Sequence, residues 1–246
     1  MRKKVSVVLP VYNEVKNIRK TVNSILALKH FLPNYDINII ISDGTSTDGT
    51  LNVIKDIVKH NTKVSYISTE RGLGLGLYKG HLYALNKIKP DIMVQIDADG
   101  QVNSKIIVNL VNTINEGYSL AIGSRFVKGG RNNLPLIRRL FSRSSSWVCR
   151  ILMGPMDIQE FTNSARAFTP KLFKKINWKR IPLRGKTFVS IPAFINEAVI
   201  AGATYKEVPL IFNNRPEGYS KNKVIQYTIG LLLYAIKGRL LKLKVI

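Results

Sequence analysis

Three oxygen-bearing side chains follow an apolar run at residues 92–96. Asp97, Asp99 and Gln101 stand at alternate positions after that run. If the chain stays extended there, side chains at i, i+2 and i+4 point to the same side. Hard cations such as Mg²⁺ and Mn²⁺ take oxygen ligands, commonly a few carboxylates together with substrate phosphates. The spacing therefore predicts a metal and phosphate site. The plain structural alternative is an Asp-Gly turn in which Asp97 is a cap.

Polar residues also follow three other apolar runs directly, at positions 10–14, 42–45 and 123–125. Asp43 stands where a carboxylate could contact the base or ribose of a nucleotide. Helix capping explains the later Thr and Asp residues of that loop but not Asp43. The glycines of loop 71–76 have the spacing G-x-G-x-G, which favours a flexible loop near a phosphate over a dinucleotide fingerprint.

The elements that must position these loops alternate between strand and helix patterns. Short runs rich in β-branched residues predict strands at 5–9, 37–41, 64–67, 92–96 and 119–122. Segments with apolar residues at helical spacing separate them. This alternation predicts an α/β fold, with a mostly parallel twisted sheet flanked by helices. Such sheets bind ligands beyond the carboxyl ends of their strands, so we expect the polar loops to meet at one edge.

The chain is strongly basic, and its charge is unevenly distributed. Lysine and arginine number 38 against 15 aspartate and glutamate, a formal net charge of +23. Residues 1–100 hold 14 basic and 9 acidic residues, whereas residues 101–246 hold 24 and 6. The second half therefore favours an anionic partner. A nucleic acid is one alternative, but no binding module or aromatic platform is recognisable, so we expect no nucleic-acid partner. The single cysteine, Cys149, excludes a disulfide framework.

The end of the chain, residues 224–246, has no acidic residue and combines an apolar run with four basic residues. The apolar run of 13 residues, 224–236, is shorter than the ~20 that a bilayer-spanning helix needs. This composition predicts an amphipathic helix that associates with an anionic membrane surface. The alternative is a helix packed on the protein's own core.

Several motifs occur in order along residues 4–223. They are P-V-Y-N-E at 10–14, S-D-G-T followed by D-G-T within 42–50, G-L-G at 72–74, D-A-D-G-Q at 97–101, G-S-R-F followed by G-G within 123–130, and R-P-E-G-Y-S-K at 215–221. The ordered set resembles glycosyltransferase family 2, and within it the polyprenyl-phosphate (dolichyl-phosphate) sugar synthases. The chain departs from the family pattern at Ser42, where an acid is usual, and in the segments 160–166 and 188–191.

The resemblance implies a GT-A type fold with one catalytic domain at 1–223, followed by the membrane-associating helix 224–246. Within the domain it implies a Rossmann-like nucleotide-sugar-binding half, 1–124, and an acceptor half, 125–223. The implied activity is inverting transfer of a hexose from GDP-mannose or UDP-glucose to a polyprenyl or dolichyl phosphate, with Mg²⁺ or Mn²⁺. The implied location is the cytoplasmic face of a membrane, as a peripheral protein.

Because a phosphate acceptor is already anionic, that reaction needs no general base. The alternative is a family 2 transferase that acts on a sugar hydroxyl in cell-surface polysaccharide or glycolipid synthesis, for which Glu160 or Asp157 would serve as the base.

The resemblance also implies a role for individual residues. Those implied for catalysis are Asp97, Asp99 and Arg125, and those implied for the metal are Asp97, Asp99 and Gln101. Those implied for the nucleotide sugar are Pro10, Tyr12, Glu14, Asp43, Gly74, Ala98, Arg215 and Lys221. Those implied for the acceptor phosphate are Arg138, Arg139 and Ser142.

Overall fold

The structure is a computed structural model that describes residues 2–184, 188–215, 227, 229–234 and 236. Its strands are β1 (Lys3–Val11), β2 (Tyr35–Asp43), β3 (Val64–Ser68), β4 (Ile92–Gln95), β5 (Leu120–Ser124), β6 (Arg131–Asn132), β7 (Arg166–Phe168), β8 (Tyr205–Pro209) and β9 (Ile211–Phe212). Seven of them form one sheet in the order β3-β2-β1-β4-β7-β5-β8, and β6 pairs with β9 in a separate two-stranded sheet. All pairings in the large sheet are parallel except those of β7. The predicted mostly parallel α/β sheet is confirmed.

Helices cover both faces of the large sheet. They are α1 (Ile18–Leu26), α2 (Thr50–His60), α3 (Leu73–Tyr83), α4 (Ile106–Asn115), α5 (Leu136–Met153), α6 (Pro170–Lys175) and α7 (Ser190–Ile200). The alternation along β1 assigns its side chains to the two faces: Val7 joins the core under α1, α2 and α4, while Val8 joins the core under α3. Gly80 allows α3 to lie directly on the sheet, because an added Cβ there would stand 2.5 Å from Val8 Cγ1.

A second apolar core lies between strands β4, β7 and β5 of the large sheet and helices α5, α6 and α7. Two described residues near the end of the chain, Tyr227 and Leu231, are buried in this core. Neighbouring residues of the same helical stretch, such as Ile229 and Leu233, are more than half exposed. One face of this stretch therefore packs on the protein. The basic residues predicted to follow it lie outside the described residues, so the boundary at 223/224 and the membrane-associating helix stay predictions. No helix among the described residues combines the length and apolar character needed to cross a membrane.

Candidate active site

A cavity lies at the edge of the sheet where the parallel strands end. Seven residues predicted to bind the nucleotide sugar or the metal line it: Pro10, Tyr12, Glu14, Asp97, Ala98, Asp99 and Arg215. These residues come from the end of β1 and the loop that follows it, from the loop after β4, and from the chain after β9. We call this the first cavity.

The aspartate loop after β4 turns instead of continuing as an extended chain. Gly100 has a φ of +74°, in the left-handed region, and the Gln101 backbone N–H donates to Asp99 Oδ1 at 3.0 Å. The expected alignment of three side chains by strand alternation therefore does not occur. Burial and then the charge of neighbouring Asp99 raise the pKa of Asp97 to about 7, while a hydrogen bond from Ser164 opposes this rise. Two carboxylates are thus held close together at the cost of mutual repulsion.

Arg215 lies against this loop. Its Nη2 is 2.7 Å from Asp99 Oδ2, and its Nε donates to Gln101 Oε1 at 3.2 Å. Its Nη1 is 3.7 Å from Glu14 Oε1. The other end of the Gln101 amide donates to the Asn213 carbonyl at 3.0 Å. Both ends of Gln101 thus contact the chain around Arg215, so the structure gives Gln101 a part in positioning this arginine.

The aspartate loop fits a divalent cation that is shared with a substrate. Asp97 and Asp99 offer hard carboxylate oxygens, and a cation would relieve the repulsion that raises the pKa of Asp97. Among the described residues, no group of three or more His, Cys, Asp or Glu side chains is placed to hold a metal. Two carboxylates, completed by substrate phosphate oxygens and water, are the arrangement that Mg²⁺ commonly takes.

Asp43, the last residue of β2, does not have the surroundings that the sequence predicts for it. The Asp43 carboxylate accepts hydrogen bonds from the hydroxyl and the backbone N–H of Ser46, and the residue does not line the first cavity. Its side chain therefore closes a turn. Ser42 lines the cavity instead, and its buried hydroxyl has no hydrogen-bond partner among the described residues. Ser42 is the register partner of Pro10 across β1 and β2, and both residues line the cavity.

Tyr12, Arg71 and Gly76 also line the first cavity. Arg71 stacks over the Tyr12 ring, with the guanidinium carbon 4.0 Å from the ring centroid. Gly76 leaves room above Ser42, because a Cβ there would lie 3.2 Å from Ser42 Oγ. Gly74 has a packing role and does not line this cavity, since a Cβ on it would stand 2.6 Å from Ser190 Cβ on α7.

A second cavity of about 470 Å³ lies beside the N-terminal part of α5. Four arginines line it, Arg125, Arg131, Arg139 and Arg143, and no described residue in its lining carries a carboxylate. Of the predicted acceptor residues, Arg139 is in this lining and Arg138 is not. Ser142 is buried on α5, where its hydroxyl donates to the Arg139 carbonyl at 3.0 Å. Arg131 and Arg143 were missed because only the fold brings them together. Lys221 lies outside the described residues.

Arg125 is held by a buried ion pair. Its Nε and Nη2 donate to the two carboxylate oxygens of Glu160 at 2.6 and 2.8 Å, and both side chains are at most 4% exposed. Burial alone would raise the pKa of Glu160, but the Arg125 guanidinium overcomes this and holds the pKa below its ordinary value. The backbone N–H of Glu160 in turn donates to Glu207 at 2.9 Å. Glu160 is therefore a weak base whose function is to orient Arg125.

The small sheet of β6 and β9 connects the two cavities. Arg131 of β6 borders the second cavity and pairs with Ile211 of β9. The chain leaving β9 carries Asn213, whose backbone N–H donates to the Gln101 carbonyl at 2.9 Å, and then Arg215 of the first cavity. The same segment of chain, from β9 to Arg215, therefore links the linings of the first and second cavities.

The sheet topology is that of the GT-A fold. A solved structure supports the fold: that of glucosyl-3-phosphoglycerate synthase from Mycobacterium tuberculosis, determined with Mn²⁺, uridine diphosphate and phosphoglyceric acid, superposes with a TM-score of 0.67. The superposition covers 96% of this chain and 78% of that chain, at 20% sequence identity.

The chain belongs to glycosyl transferase family 2, whose sequence profile matches residues 6–178. A polyprenol monophosphomannose synthase of Mycolicibacterium smegmatis is 27% identical over 241 residues, which cover 95% of this chain and 88% of that protein. A dolichol-phosphate mannosyltransferase of Pyrococcus furiosus is 30% identical over 225 residues. These cover 89% of this chain but only 59% of that longer protein.

Proposed function

We propose that this glycosyltransferase moves a hexose from a nucleotide sugar to a polyprenyl or dolichyl phosphate, with inversion at the anomeric carbon. The names of its relatives support this acceptor and favour mannose as the sugar. The observation that carries the proposal is the second cavity, whose described lining has four arginines and no carboxylate; Arg125 is paired with Glu160, and Arg131, Arg139 and Arg143 are exposed. Such a cavity complements a phosphate monoester, which guanidinium groups bind with charge-assisted hydrogen bonds.

The state of Glu160 supports the same acceptor. Transfer to a sugar hydroxyl requires a base that removes the hydroxyl proton. Glu160 is buried, paired with Arg125 and held at low basicity, and Asp157 accepts a hydrogen bond from the Tyr205 hydroxyl at 2.8 Å. A phosphate oxygen is already charged and attacks the anomeric carbon without losing a proton, while the bond to the nucleoside diphosphate breaks on the opposite face of the sugar.

On the donor side, Asp97 and Asp99 would hold the divalent cation, which when bound neutralises charge on the departing diphosphate. The structural neighbour binds Mn²⁺ together with uridine diphosphate, which supports Mg²⁺ or Mn²⁺ as the cofactor here. Arg215 supplies a fixed positive charge beside the same carboxylates. Pro10, Tyr12 and Ser42 would border the nucleoside. GDP-mannose and UDP-glucose are the leading donors, with UDP-N-acetylglucosamine as a third alternative, and the enzyme would work as a peripheral protein on the cytoplasmic face of a membrane.

The test is a transfer assay with purified protein, Mg²⁺ or Mn²⁺, and each nucleotide sugar in turn. Polyprenyl phosphate, the unphosphorylated polyprenol and free monosaccharides serve as acceptors. We expect a glycolipid only with polyprenyl phosphate, with the anomeric configuration opposite to that of the donor. Transfer to a monosaccharide but not to the lipid phosphate would refute the proposal and favour the hydroxyl-acceptor alternative.

A further inference from the structure

A buried histidine lies behind the aspartate loop. His81 of α3 is fully buried, and its ring packs on Phe168 of β7 and Phe173 of α6, with ring centroids 4.8 and 5.9 Å apart. Burial lowers the pKa of His81 to about 3, against the opposing effect of its hydrogen bond to Gln95, so the ring is neutral. A neutral imidazole has one N–H to donate and one nitrogen that can only accept. None of the steps proposed above uses this ring.

The hydrogen bonds of Gln95 determine which nitrogen of the histidine is the donor. Gln95 is the last residue of β4 and is buried, and its Nε2 donates to the Ser164 carbonyl at 3.0 Å. Because a carbonyl can only accept, the amide is oriented with its Oε1 toward His81 Nε2, at 3.1 Å. His81 Nε2 is therefore the donor, and the buried Nδ1 has no hydrogen-bond partner among the described residues. The hydrogen bonds run in one direction, from His81 through Gln95 to Ser164.

Ser164 connects these hydrogen bonds to the aspartate loop. Strands β4 and β7 are antiparallel, with Gln95 opposite Arg166. Continued by two residues, this register places Ser164 opposite Asp97. The Ser164 hydroxyl donates a hydrogen bond to the Asp97 carboxylate. Ser164 is thus held at its carbonyl by Gln95, and it holds Asp97 with its hydroxyl.

The residues on both sides of Ser164 are fixed as well. The Asn163 side chain donates to the Gly123 carbonyl and accepts from the backbone N–H of Ala165 at 2.7 Å. Arg166 is fully buried and donates to the Asn163 carbonyl at 3.0 Å. Ser164 itself is 4% exposed. A hydroxyl on so constrained a backbone keeps one direction, which is what a metal ligand requires of the group that supports it.

We propose that Ser164 is a positioning residue for the metal ligand Asp97, and that His81 and Gln95 hold Ser164 in place. A carboxylate that binds a metal is itself hydrogen-bonded in most sites, and the outer partner orients it. The Ser164 hydroxyl limits the rotation of the Asp97 carboxylate, so that this carboxylate meets the cation in a single orientation. The inference deepens the proposed function and rests on its assignment of Asp97 to the metal.

The test measures Mn²⁺ binding directly, through the electron paramagnetic resonance signal of free Mn²⁺, with UDP or GDP present. Ser164→Ala removes the hydroxyl but keeps the carbonyl that contacts Gln95. We expect the Kd for Mn²⁺ to rise about tenfold or more, the usual size for the loss of a partner of a metal ligand. Binding of UDP or GDP without metal, measured by calorimetry, should stay constant, because Ser164 does not line the first cavity.

His81→Phe tests the other end of the hydrogen-bonded chain. A phenyl ring keeps the packing on the two phenylalanines but cannot donate to Gln95. We expect Mn²⁺ to bind more weakly than in the unaltered protein, by a smaller factor than in Ser164→Ala. In the double variant, His81→Phe should add no further loss, because its effect reaches the metal ligand through the Ser164 hydroxyl.

Ser6→Ala is the matched control. Ser6 of β1 is also a buried serine, and its hydroxyl has no hydrogen-bond partner among the described residues. This variant should bind Mn²⁺ like the unaltered protein. Unchanged Mn²⁺ binding in Ser164→Ala would overturn the inference, and so would equal losses in Ser164→Ala and Ser6→Ala. Additive losses in the double variant would also overturn it, because His81 would then act by a route that bypasses Ser164.

A transfer assay separates this inference from the proposed function. If Ser164→Ala weakens Mn²⁺ binding but the unaltered protein transfers no sugar to polyprenyl phosphate, the proposed acceptor fails and the positioning role stands. If transfer occurs and Ser164→Ala leaves Mn²⁺ binding unchanged, the positioning role fails and the proposed function stands. Where both hold, Ser164→Ala should raise the Mn²⁺ concentration for half-maximal rate about tenfold, with little change in the KM for the acceptor.

Discussion

Arg138 and Arg139 are adjacent on α5 but have different surroundings, and replacing each by alanine tests the role of the second cavity. Arg139 lines that cavity, whereas Arg138 is exposed outside its lining. The pair therefore forms an internally matched experiment, since both variants remove the same charge from the same helix. We expect Arg139→Ala to weaken the lipid phosphate and Arg138→Ala to have little effect on a soluble acceptor.

The magnitude follows from the contact that is lost. A hydrogen bond to a charged group contributes about 1.5–3 kcal/mol. Arg139 remains accessible to solvent, and other arginines in the cavity compensate in part, so the lower end applies. About 1.4 kcal/mol corresponds to tenfold, so we expect the KM for the lipid phosphate to rise roughly tenfold in Arg139→Ala. An exposed charge outside the cavity is screened by salt, so Arg138→Ala should change this KM by less than about twofold.

The assay measures initial rates with a short-chain polyprenyl phosphate at saturating donor, and then with varied donor at saturating acceptor. The KM for the nucleotide sugar should stay constant in both variants, because neither arginine lines the first cavity. Equal effects of the two substitutions, or a larger change in the donor KM than in the acceptor KM, would refute the assignment of the second cavity to the acceptor.

Four further substitutions test other parts of the site. Asp99→Asn should nearly abolish transfer even at saturating Mg²⁺ or Mn²⁺ while circular dichroism shows an intact fold; near-normal rates would contradict the metal assignment. Ser42→Asp should shift the binding preference from UDP toward GDP, as measured by calorimetry. The reason is that a carboxylate can accept hydrogen bonds from two N–H groups of the guanine edge but from only one of uracil. Ser42→Ala is the control and should not produce this shift. Glu160→Gln should lower the free energy of unfolding in urea by about 3–5 kcal/mol, since Arg125 stays buried without its partner. In the unaltered protein, the Arg125–Glu160 pair stabilises the fold fully above the ordinary glutamate pKa of 4.5. This stabilisation should be lost as the pH falls through the lower pKa that Glu160 has in the folded state. The Glu160→Gln variant should not show this pH dependence. Leu231→Ala should lower the free energy of unfolding by about 2–5 kcal/mol in the same urea titration, because Leu231 is buried in the second core; an unchanged midpoint would contradict this packing.

The sequence predicted the sheet and the edge that carries the site because both depend on local patterns. Apolar runs of strand length alternate with helical periodicity, and the loops that carry chemistry begin where the runs end. The aspartate loop after β4 and Pro10 near the end of β1 border the first cavity as expected. The position of β7 could not be predicted in this way, since a strand of three residues gives no signal about its direction or its neighbours.

The remaining differences come from contacts between distant parts of the chain. Arg215 meets Asp99 across 116 positions of sequence, which the spacing of a motif cannot show. Ser42 and Asp43 illustrate a second limit. Adjacent residues of a strand face opposite sides, so which of them reaches a ligand depends on the register between β1 and β2. The acidic side chain suggested Asp43, but the register with Pro10 selects Ser42.

Strand β7 also sets the separation between the two loops that border the two cavities. It stands between β4 and β5, and adjacent strands lie about 4.8 Å apart, so the aspartate loop and the Arg125 loop leave the sheet roughly 10 Å from each other. β7 therefore sets the spacing between the loops that would hold the donor and the acceptor. Because it is antiparallel, the loop before it arrives at the same edge, where Ser164 contacts Asp97 and Glu160 holds Arg125. A graft that exchanges this loop to retarget the acceptor would therefore also alter the donor side, and the two specificities would have to be engineered together.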